Sequence, residues 1–444
     1  MNPFKIIKYE LYLFQLENYE IWRFLRLVFR TWGRPKMPPR KDLVWTLKAK
    51  ALFVTAIFLQ AAVAWWLTKS FLGIVLFAAF FFVFFAFLVL ASVVLRPLDY
   101  VLKSWIIFRA KRKIAKFKNL KIVGITGSFG KTTMKAVLAA ILSQKFQVLR
   151  TPESVNTPVG IARLILKKLI PEIEIFIVEM GAYRRGDIRK LCQITPPDIA
   201  VLTGINEAHL ERFGNLENTI AAKFEIVENS KPDALAVLNE DNKPVCENCK
   251  KYLAGREAIF YSSAAGRGEI YQNPFLGEYA LGMIRAAVSV GEKLGMQRSE
   301  IFAGIGELRP VPHRLEPLKL TGDILAIDDS YNANPDGIRE AVKVLSRYQN
   351  RRKIYLTPGL VEVGTRACEI HLDLGRNLAK VADLVILIKN SATPRIAQGL
   401  KEAGFSEDKI IWFESALQAH GSLEKILKAG DVILFQNDWP DNYL

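Results

Sequence analysis

Two stretches early in the chain lack polar punctuation. Ala51–Leu67 is apolar apart from Thr55 and Gln60, and Phe71–Leu95 carries no charged residue. A helix that crosses a bilayer needs about 20 apolar residues. The pattern therefore predicts a helical hairpin with spans at about residues 47–67 and 71–95. Trp65 and Trp66, at the end of the first run, suit the interfacial aromatic belt. The competing reading is a hairpin buried in a soluble core; long Phe-rich runs without one charge weigh against it. Ahead of the hairpin, residues 4–31 mix Tyr, Trp, Phe and Leu with Arg23, Arg26 and Arg30. They predict a helix that lies in the membrane interface or packs on the hairpin.

After residue 118 the rhythm changes. Short apolar runs alternate with helical spacing, as in "LKIVGITGSFGKTTMKAVLAAIL", where Ile122–Ile125 predicts a strand and Met134–Leu142 a helix. "IEIFIVEMGAYRRGDI" and "PDIAVLTGINEAHLERFG" add further strands. Downstream, "ILAIDDS", "KIYLTPG", "LVILIK", "KIIWF" and "VILF" alternate with helical stretches. Such alternation builds parallel sheets covered by helices. The expected fold class is α/β: a P-loop central domain and a C-terminal Rossmann-like α/β domain, preceded by an α-helical membrane hairpin. The expected divisions are 1–118, 119–312 and 313–444, with "RAKRKIAKFKN" as a basic linker helix and the Pro-rich "RPVPH" as a hinge.

Charge sharpens this picture. The net charge is +17, yet the first 120 residues hold 20 of the 61 Lys and Arg and only 5 of the 44 Asp and Glu. The remainder is nearly neutral, which argues against nucleic acid as its partner. A basic N-terminal region fits anionic membrane lipid. Arg34, Lys36, Arg40, Lys41, Lys48 and Lys50 precede the first span, and Arg96, Lys103, Arg109 and Lys111–Lys113 follow the second. Between the spans stands only Lys69. Positive flanks stay inside, so the reading is a two-span protein of the cytoplasmic membrane with both termini and all of the α/β part in the cytoplasm. Four cysteines make no disulfide framework. Cys246 and Cys249 form one C-x-x-C, and no second pair completes a tetrahedral zinc site.

The chemistry centres on "TGSFGKTT", Thr126–Thr133. Gly127 and Gly130 let the backbone N–H groups of the loop, with Ser128, close on phosphate oxygens. Lys131 can reach the terminal phosphates, and Thr132, followed by Thr133, can ligate Mg2+. The usual longer loop would place glycine at 125, where Ile125 stands. Glu179 ends one predicted strand, and Glu207 and His209 follow another. Ligands gather at the carboxyl ends of parallel strands, so these are candidate metal-binding groups. Glu179 as a helix cap and His209 as a surface residue are the bland alternatives.

These segments, with "SVNTPVG", "AAKFEI", "VLNEDN", "HRLE" and "DDSYNANPDG", run in an order that resembles the Mur ligase family, ATP-dependent amide-forming enzymes of cell-wall assembly. The likeness is strongest to its D-alanyl-D-alanine-adding branch. It implies ATP and two Mg2+ ions. Lys131 and Thr132 would hold the phosphates and one ion, with Glu179 as a further ligand. His209 and a carbamylated Lys223 would serve the second ion. Arg314, Asp329, Tyr331 and Asn332 would reach the nucleotide from the C-terminal domain, Asp329 at the ribose. Asn156 and Thr157 would face the acceptor and the γ-phosphate. The implied reaction phosphorylates a carboxylate and joins it to an amino acid or dipeptide, first of all D-Ala-D-Ala onto a muramyl peptide.

The chain departs from the family pattern in three places. The hairpin stands where the family's UDP-binding domain would be, so the expected acceptor is a small-molecule or a lipid-linked cell-wall precursor. Ala280 and Met283 replace two asparagines near the adenine. Gly204 replaces another asparagine, and "FQNDWPDNYL" lacks the family's K-G-S-R. Competing functions are a ligase that amidates a lipid-linked carboxylate or makes poly-γ-glutamate, and a non-catalytic membrane scaffold.

Overall fold

The computed structural model describes residues 3–31, 43–67, 84–207, 210–264, 266, 269–331, 334–361 and 363–437. The chain divides into two compact units, one within Met1–Trp105 and one within Ile106–Trp439.

The first unit is helical: Pro3–Leu16, Ile21–Thr31, Leu47–Leu67 and the helix that starts at Phe84. Asn18 and Tyr19, both at positive φ, turn the chain between the first two helices. Leu11, Phe14, Phe24, Leu52, Phe84 and Leu88 make its core, and the rings of Phe14 and Phe24 lie 4.5 Å apart. Gln15 exchanges two hydrogen bonds with the backbone of Val44, at 2.8 and 3.0 Å. Asp99 accepts from Lys48 at 3.2 Å and Lys103 at 2.6 Å, tying the third helix to the fourth. Most other large apolar side chains of these two helices point outward, among them Phe58, Trp65, Trp66, Val94 and Trp105. Leu47–Trp66 and Phe84–Ile114 are long and apolar enough to cross a bilayer, with mean hydropathies of 1.6 and 1.8. Residues 68–83, most of the predicted turn and the first half of the second span, lie outside the described residues. The fourth helix ends at Ile114, so the expected linker helix stops short and Ala115–Asn119 forms turns instead.

The second unit holds two six-stranded sheets. The first, in order β2-β3-β1-β4-β5-β6, is built from β1 (Lys121–Thr126), β2 (Val148–Arg150), β3 (Ile175–Glu179), β4 (Ile199–Leu202), β5 (Leu235–Asn239) and β6 (Ala258–Tyr261). Every pair in it is parallel. Its strands alternate between two cores. Ile122, Phe176, Val178, Ala200 and Leu202 face one, and Val123, Ile125, Ile177, Ile199 and Val201 face the other. Helices cover both faces, so the strands read as unbroken apolar runs.

The second sheet, β11-β10-β9-β12-β8-β7, comprises β7 (Glu316–Leu320), β8 (Ile324–Asp329), β9 (Lys353–Thr357), β10 (Leu384–Ile388), β11 (Ile410–Phe413) and β12 (Val432–Gln436). The five strands foreseen from the sequence are β8–β12, and they pair in parallel. The sheet is nevertheless mixed, because β7 adds an antiparallel edge to β8. Its "EPLKL" is half polar and largely exposed; an edge strand that buries little leaves little hydrophobic signal.

Candidate active site

The first sheet places its chemistry at the carboxyl ends of β1, β3 and β4, where the strand order changes direction, as ligand sites in such sheets do. After β1 the chain turns through Gly127–Gly130 into the helix Lys131–Leu142, whose N-terminus faces the cleft. Gly127 has φ 154°, and a Cβ there would sit 2.0 Å from Thr203 Oγ1. Only glycine fits this approach. The loop is pinned to the segment after β4. Ser128 N–H donates to Gly204 O at 2.8 Å. Asn206 N–H donates to Ser128 Oγ at 3.2 Å, and Thr203 Oγ1 donates to Phe129 O. Lys131 Nζ folds back onto Gly127 O at 2.6 Å, and burial holds its ammonium down at about 8 despite the pull of Glu179.

Glu179, at the end of β3, lies beside this loop. Its backbone N–H donates to Thr151 Oγ1 at 3.0 Å. Its carboxylate accepts from Thr132 Oγ1 at 3.5 Å and from Lys135 Nζ at 2.8 Å. Burial opposes its charge, but Lys131, Lys135 and a hydrogen bond from Asn156 outweigh it and hold the carboxyl below its usual range. A buried anion with a threonine hydroxyl next to it is a fitting donor set for a hard divalent cation. Lys135 is one helical turn beyond Lys131. The sequence reading missed it; its signal was a second lysine on the same helix face at i+4.

Lys223 lies on the helix Leu216–Glu228, is only 2% exposed, and reaches the same cleft. Burial, reinforced by Lys131, pushes its ammonium well below the usual lysine range against Asp187 and Glu225. Asn156 faces the cleft. The Thr157 hydroxyl instead accepts from Gly160 N–H at 3.4 Å, capping the helix Pro158–Lys168.

The second sheet supplies the opposite wall. Asp329, at the end of β8, accepts from Gln436 Nε2 at 2.6 Å and from Leu315 N–H at 3.2 Å. Tyr355 Oη donates in turn to Gln436 Oε1 at 2.9 Å. Burial raises the Asp329 carboxyl to about 7, although Gln436 and Arg314 pull it down. Arg314 lies over the ring of Tyr331, 4.4 Å from its centroid, and donates to Tyr331 O at 2.6 Å. Gln436 and Tyr355 were not foreseen; they act through Asp329 from buried strand positions with no motif around them.

Ser128, Gly130, Lys131, Thr132, Thr133, Asn156, Glu179, Lys223, Arg314, Asp329 and Tyr331 line one cleft between the two sheets. Gly127 is not among the lining residues, and His209 and Asn332 fall outside the described residues. The cleft has a volume of about 480 Å³. That lies within the range of a single small-molecule site, about 300–1,000 Å³. Polar contacts bridge its walls. Asn206 Nδ2 donates to Asn334 at 2.9 Å and Asp336 at 2.6 Å, Ser154 meets Tyr331 Oη at 3.0 Å, and Arg366 pairs with Glu207. The C-x-x-C pair takes no part: Cys246 and Cys249 both donate to backbone carbonyls on their own helix and its approach.

Comparison with known proteins gives two family profiles, the Mur ligase middle domain over residues 125–287 and the Mur ligase glutamate ligase domain over 313–436. The chain is similar to the UDP-N-acetylmuramoyl-tripeptide–D-alanyl-D-alanine ligase of Escherichia coli K12, with 29% identity over 64% of this chain and 68% of the relative. For the Bacillus subtilis 168 enzyme of the same name the identity is 26%, over 71% of this chain and 72% of the relative. Among solved structures, the MurF ligase from Thermotoga maritima in complex with ADP matches with a TM-score of 0.67 and 30% identity, over 76% of this chain and 80% of that one.

Proposed function

The chain belongs to the Mur ligase family, and on that premise we propose that it is an ATP-dependent acid–amino-acid ligase of cell-wall precursor synthesis. The favoured reaction joins D-Ala-D-Ala to a muramyl tripeptide, as the names of its relatives state for them. The observation that carries this reading is the convergence of Lys131, Thr132, Glu179 and Lys223 in one cleft, faced by Asp329 and Arg314 from the other sheet.

The geometry supports a division of labour. The P-loop amides and Lys131 take the triphosphate, so that anionic ATP and an anionic acceptor can approach each other. Thr132 and Glu179 would hold Mg2+, which offsets negative charge on the phosphates when bound. Asp329 would accept from the ribose hydroxyls, with Gln436 fixing its orientation. An acceptor carboxylate oxygen attacks the γ-phosphorus and ADP leaves, forming an acyl phosphate. The incoming amine then attacks that carbonyl, and phosphate departs with the former carboxylate oxygen. Lys223, whose ammonium burial holds well below the usual lysine range, is suited to react with CO2: its amine loses a proton as the carbamate forms, leaving an anionic group that would serve as a metal ligand. His209 would join it. Asn156 donates to Glu179 and faces the acceptor side, and we place Thr157, Tyr331 and Asn332 at the rim.

We assign residues 1–118 to a membrane region, 119–312 to the ATP-binding domain and 313–444 to the domain that closes on it. The outward apolar side chains of Leu47–Leu67 and Phe84–Ile114 support a tether in the cytoplasmic membrane. The same observation favours a second reading, a lipid-linked rather than a nucleotide-linked acceptor. The test is phosphate release by the full chain in lipid, with soluble and lipid-linked muramyl tripeptides and D-Ala-D-Ala. Lys131→Ala should cut acceptor-stimulated release by at least about 10²–10³-fold. No turnover with any such acceptor would overturn the ligase reading.

A further inference from the structure

The helix Phe84–Ile114 has two unlike sides. Ile106, Ile107, Ala110 and Ile114 pack on the core of the first sheet, and Lys113 Nζ donates to Leu166 O at 3.0 Å. Asp99 and Lys103, on the same side of the helix, make the contact with Lys48 described above. The opposite side carries Val94, Leu98, Val101, Trp105 and Phe108, all apolar and 54–61% exposed. Along the chain they are separated by 4, 3, 4 and 3 residues. That is the rhythm of the a and d positions of a heptad. Leu98 and Trp105 stand at a, and Val94, Val101 and Phe108 at d. Ile106, Ile107 and Ala110 then fall at b, c and f, the positions that point away from such a seam.

Lipid accounts only for the beginning of this face. With the second span ending at Leu95, the segment Leu98–Phe108 runs on for about 15 Å at the helical rise. One headgroup layer is only ~5–8 Å deep. The helix continues unbroken through Pro97, which carries the seam beyond the bilayer. A contiguous apolar face in water marks a protein contact. The flanking residues say of which kind. Leu95, Pro97, Leu102 and Ser104 hold the e and g positions along the apolar stretch, and none is charged. Charges at e and g choose the partner and its direction. Here nothing opposes pairing with an identical helix, and nothing calls for an acidic one. Basic residues begin at Arg109 and Lys111, and Arg112, at the next a position, lies over the Phe108 ring, 5.8 Å from its centroid. They end the seam.

Resting on the membrane reading, we propose that two copies of this chain pair in parallel through the seam from Val94 to Phe108. Copies inserted in one membrane share an orientation. A two-fold axis along the membrane normal therefore sets each a and d residue against its own counterpart. Confinement to one bilayer raises the effective concentration of the second helix, which favours a seam only two heptads long.

The test is disulfide cross-linking of the full chain in liposomes. Single cysteines are placed along 98–108 in a Cys368→Ser parent, because Cys368 is exposed, and that parent is the blank. A disulfide needs Cα atoms within about 7 Å, which like residues of a parallel pair meet at a and d. Yield should peak at Leu98→Cys, Val101→Cys, Trp105→Cys and Phe108→Cys, and fall to the blank at Tyr100→Cys and Lys103→Cys. Val101→Glu, which puts a charge on the seam and leaves the cleft untouched, should halve the protein mass measured by light scattering in micelles, with nucleotide binding retained. Equal yields along the helix, a peak on the b, c and f side, or the same mass for Val101→Glu and the parent chain would overturn the proposal. Flotation of the same liposomes separates the two readings. A chain that floats without the periodic yield loses the pairing alone; a chain that does not float loses the membrane reading and the pairing with it.

Discussion

The helical unit and the α/β unit put their hydrophobic residues on opposite sides. In the α/β unit the large aliphatic side chains point inward: Ile125, Ile177, Val201, Ile386 and Leu434 are all fully buried. In the helices Leu47–Leu67 and Phe84–Ile114, Phe58 is 75% exposed, Trp65 71% and Val101 61%. On the membrane reading proposed above, the same residue types serve two solvents. Water drives the first set into layered cores. On that reading, the spanning part of the second set faces the apolar interior of a bilayer. An apolar composition alone does not tell inward from outward packing; the direction of the side chains does.

A matched pair of substitutions tests that inversion most severely. Ile386→Lys places a charge in the middle of β10 between two cores, and the α/β unit should lose more than about 4 kcal/mol and unfold. Phe58→Lys should leave the fold and nucleotide binding intact. It should cost about 2.5–3.5 kcal/mol in bilayer insertion, read as release from liposomes in flotation. Equal destabilisation by both, or continued flotation of Phe58→Lys, would erase the contrast.

A second comparison is between charges buried in pairs and charges on the surface. Lys135 and Glu179 have side chains only 4% and 7% exposed. Lys135→Met removes one partner and should cost about 3–5 kcal/mol by denaturant unfolding, with part of the loss restored by Mg2+. Breaking the exposed pair Lys293–Glu257 should change stability by less than about 1 kcal/mol.

Lys223 sets a burial-tuned amine against ordinary surface lysines. Removing dissolved CO2 should lower turnover reversibly, and a small carboxylic acid should partly rescue Lys223→Ala. Insensitivity to CO2 would show that the lysine works unmodified.

The smallest effect concerns Asp329. Its carboxyl titrates near 7 in the folded chain, against 3.8 for an ordinary aspartate. The folded state therefore keeps a proton that the unfolded chain releases from about pH 4, and stability falls as pH rises between these values. Asp329→Asn should gain melting temperature relative to the parent chain across that window, by several degrees at most. A constant difference from pH 4 to 8 would contradict the assignment.

What could be read in advance follows from the range of each interaction. β1, β3, β4 and β8–β12 are apolar runs, and their signal is local. The phosphate loop is local too, since Gly127, Gly130, Lys131 and Thr132 are fixed by a single turn. β7 escaped because its edge buries little. The brace on Asp329 escaped because Gln436 stands 107 residues away in sequence, and the Lys135–Glu179 pair spans 44. Neither Gln436 nor Lys135 announces such a partner.

The central claim is that this cleft moves the γ-phosphate of ATP onto a carboxylate before an amide forms. It is tested most directly by following oxygen. With the acceptor carboxylate labelled with 18O, the account predicts that each inorganic phosphate released during amide formation carries one labelled oxygen from the acceptor. Phosphate without label would contradict it.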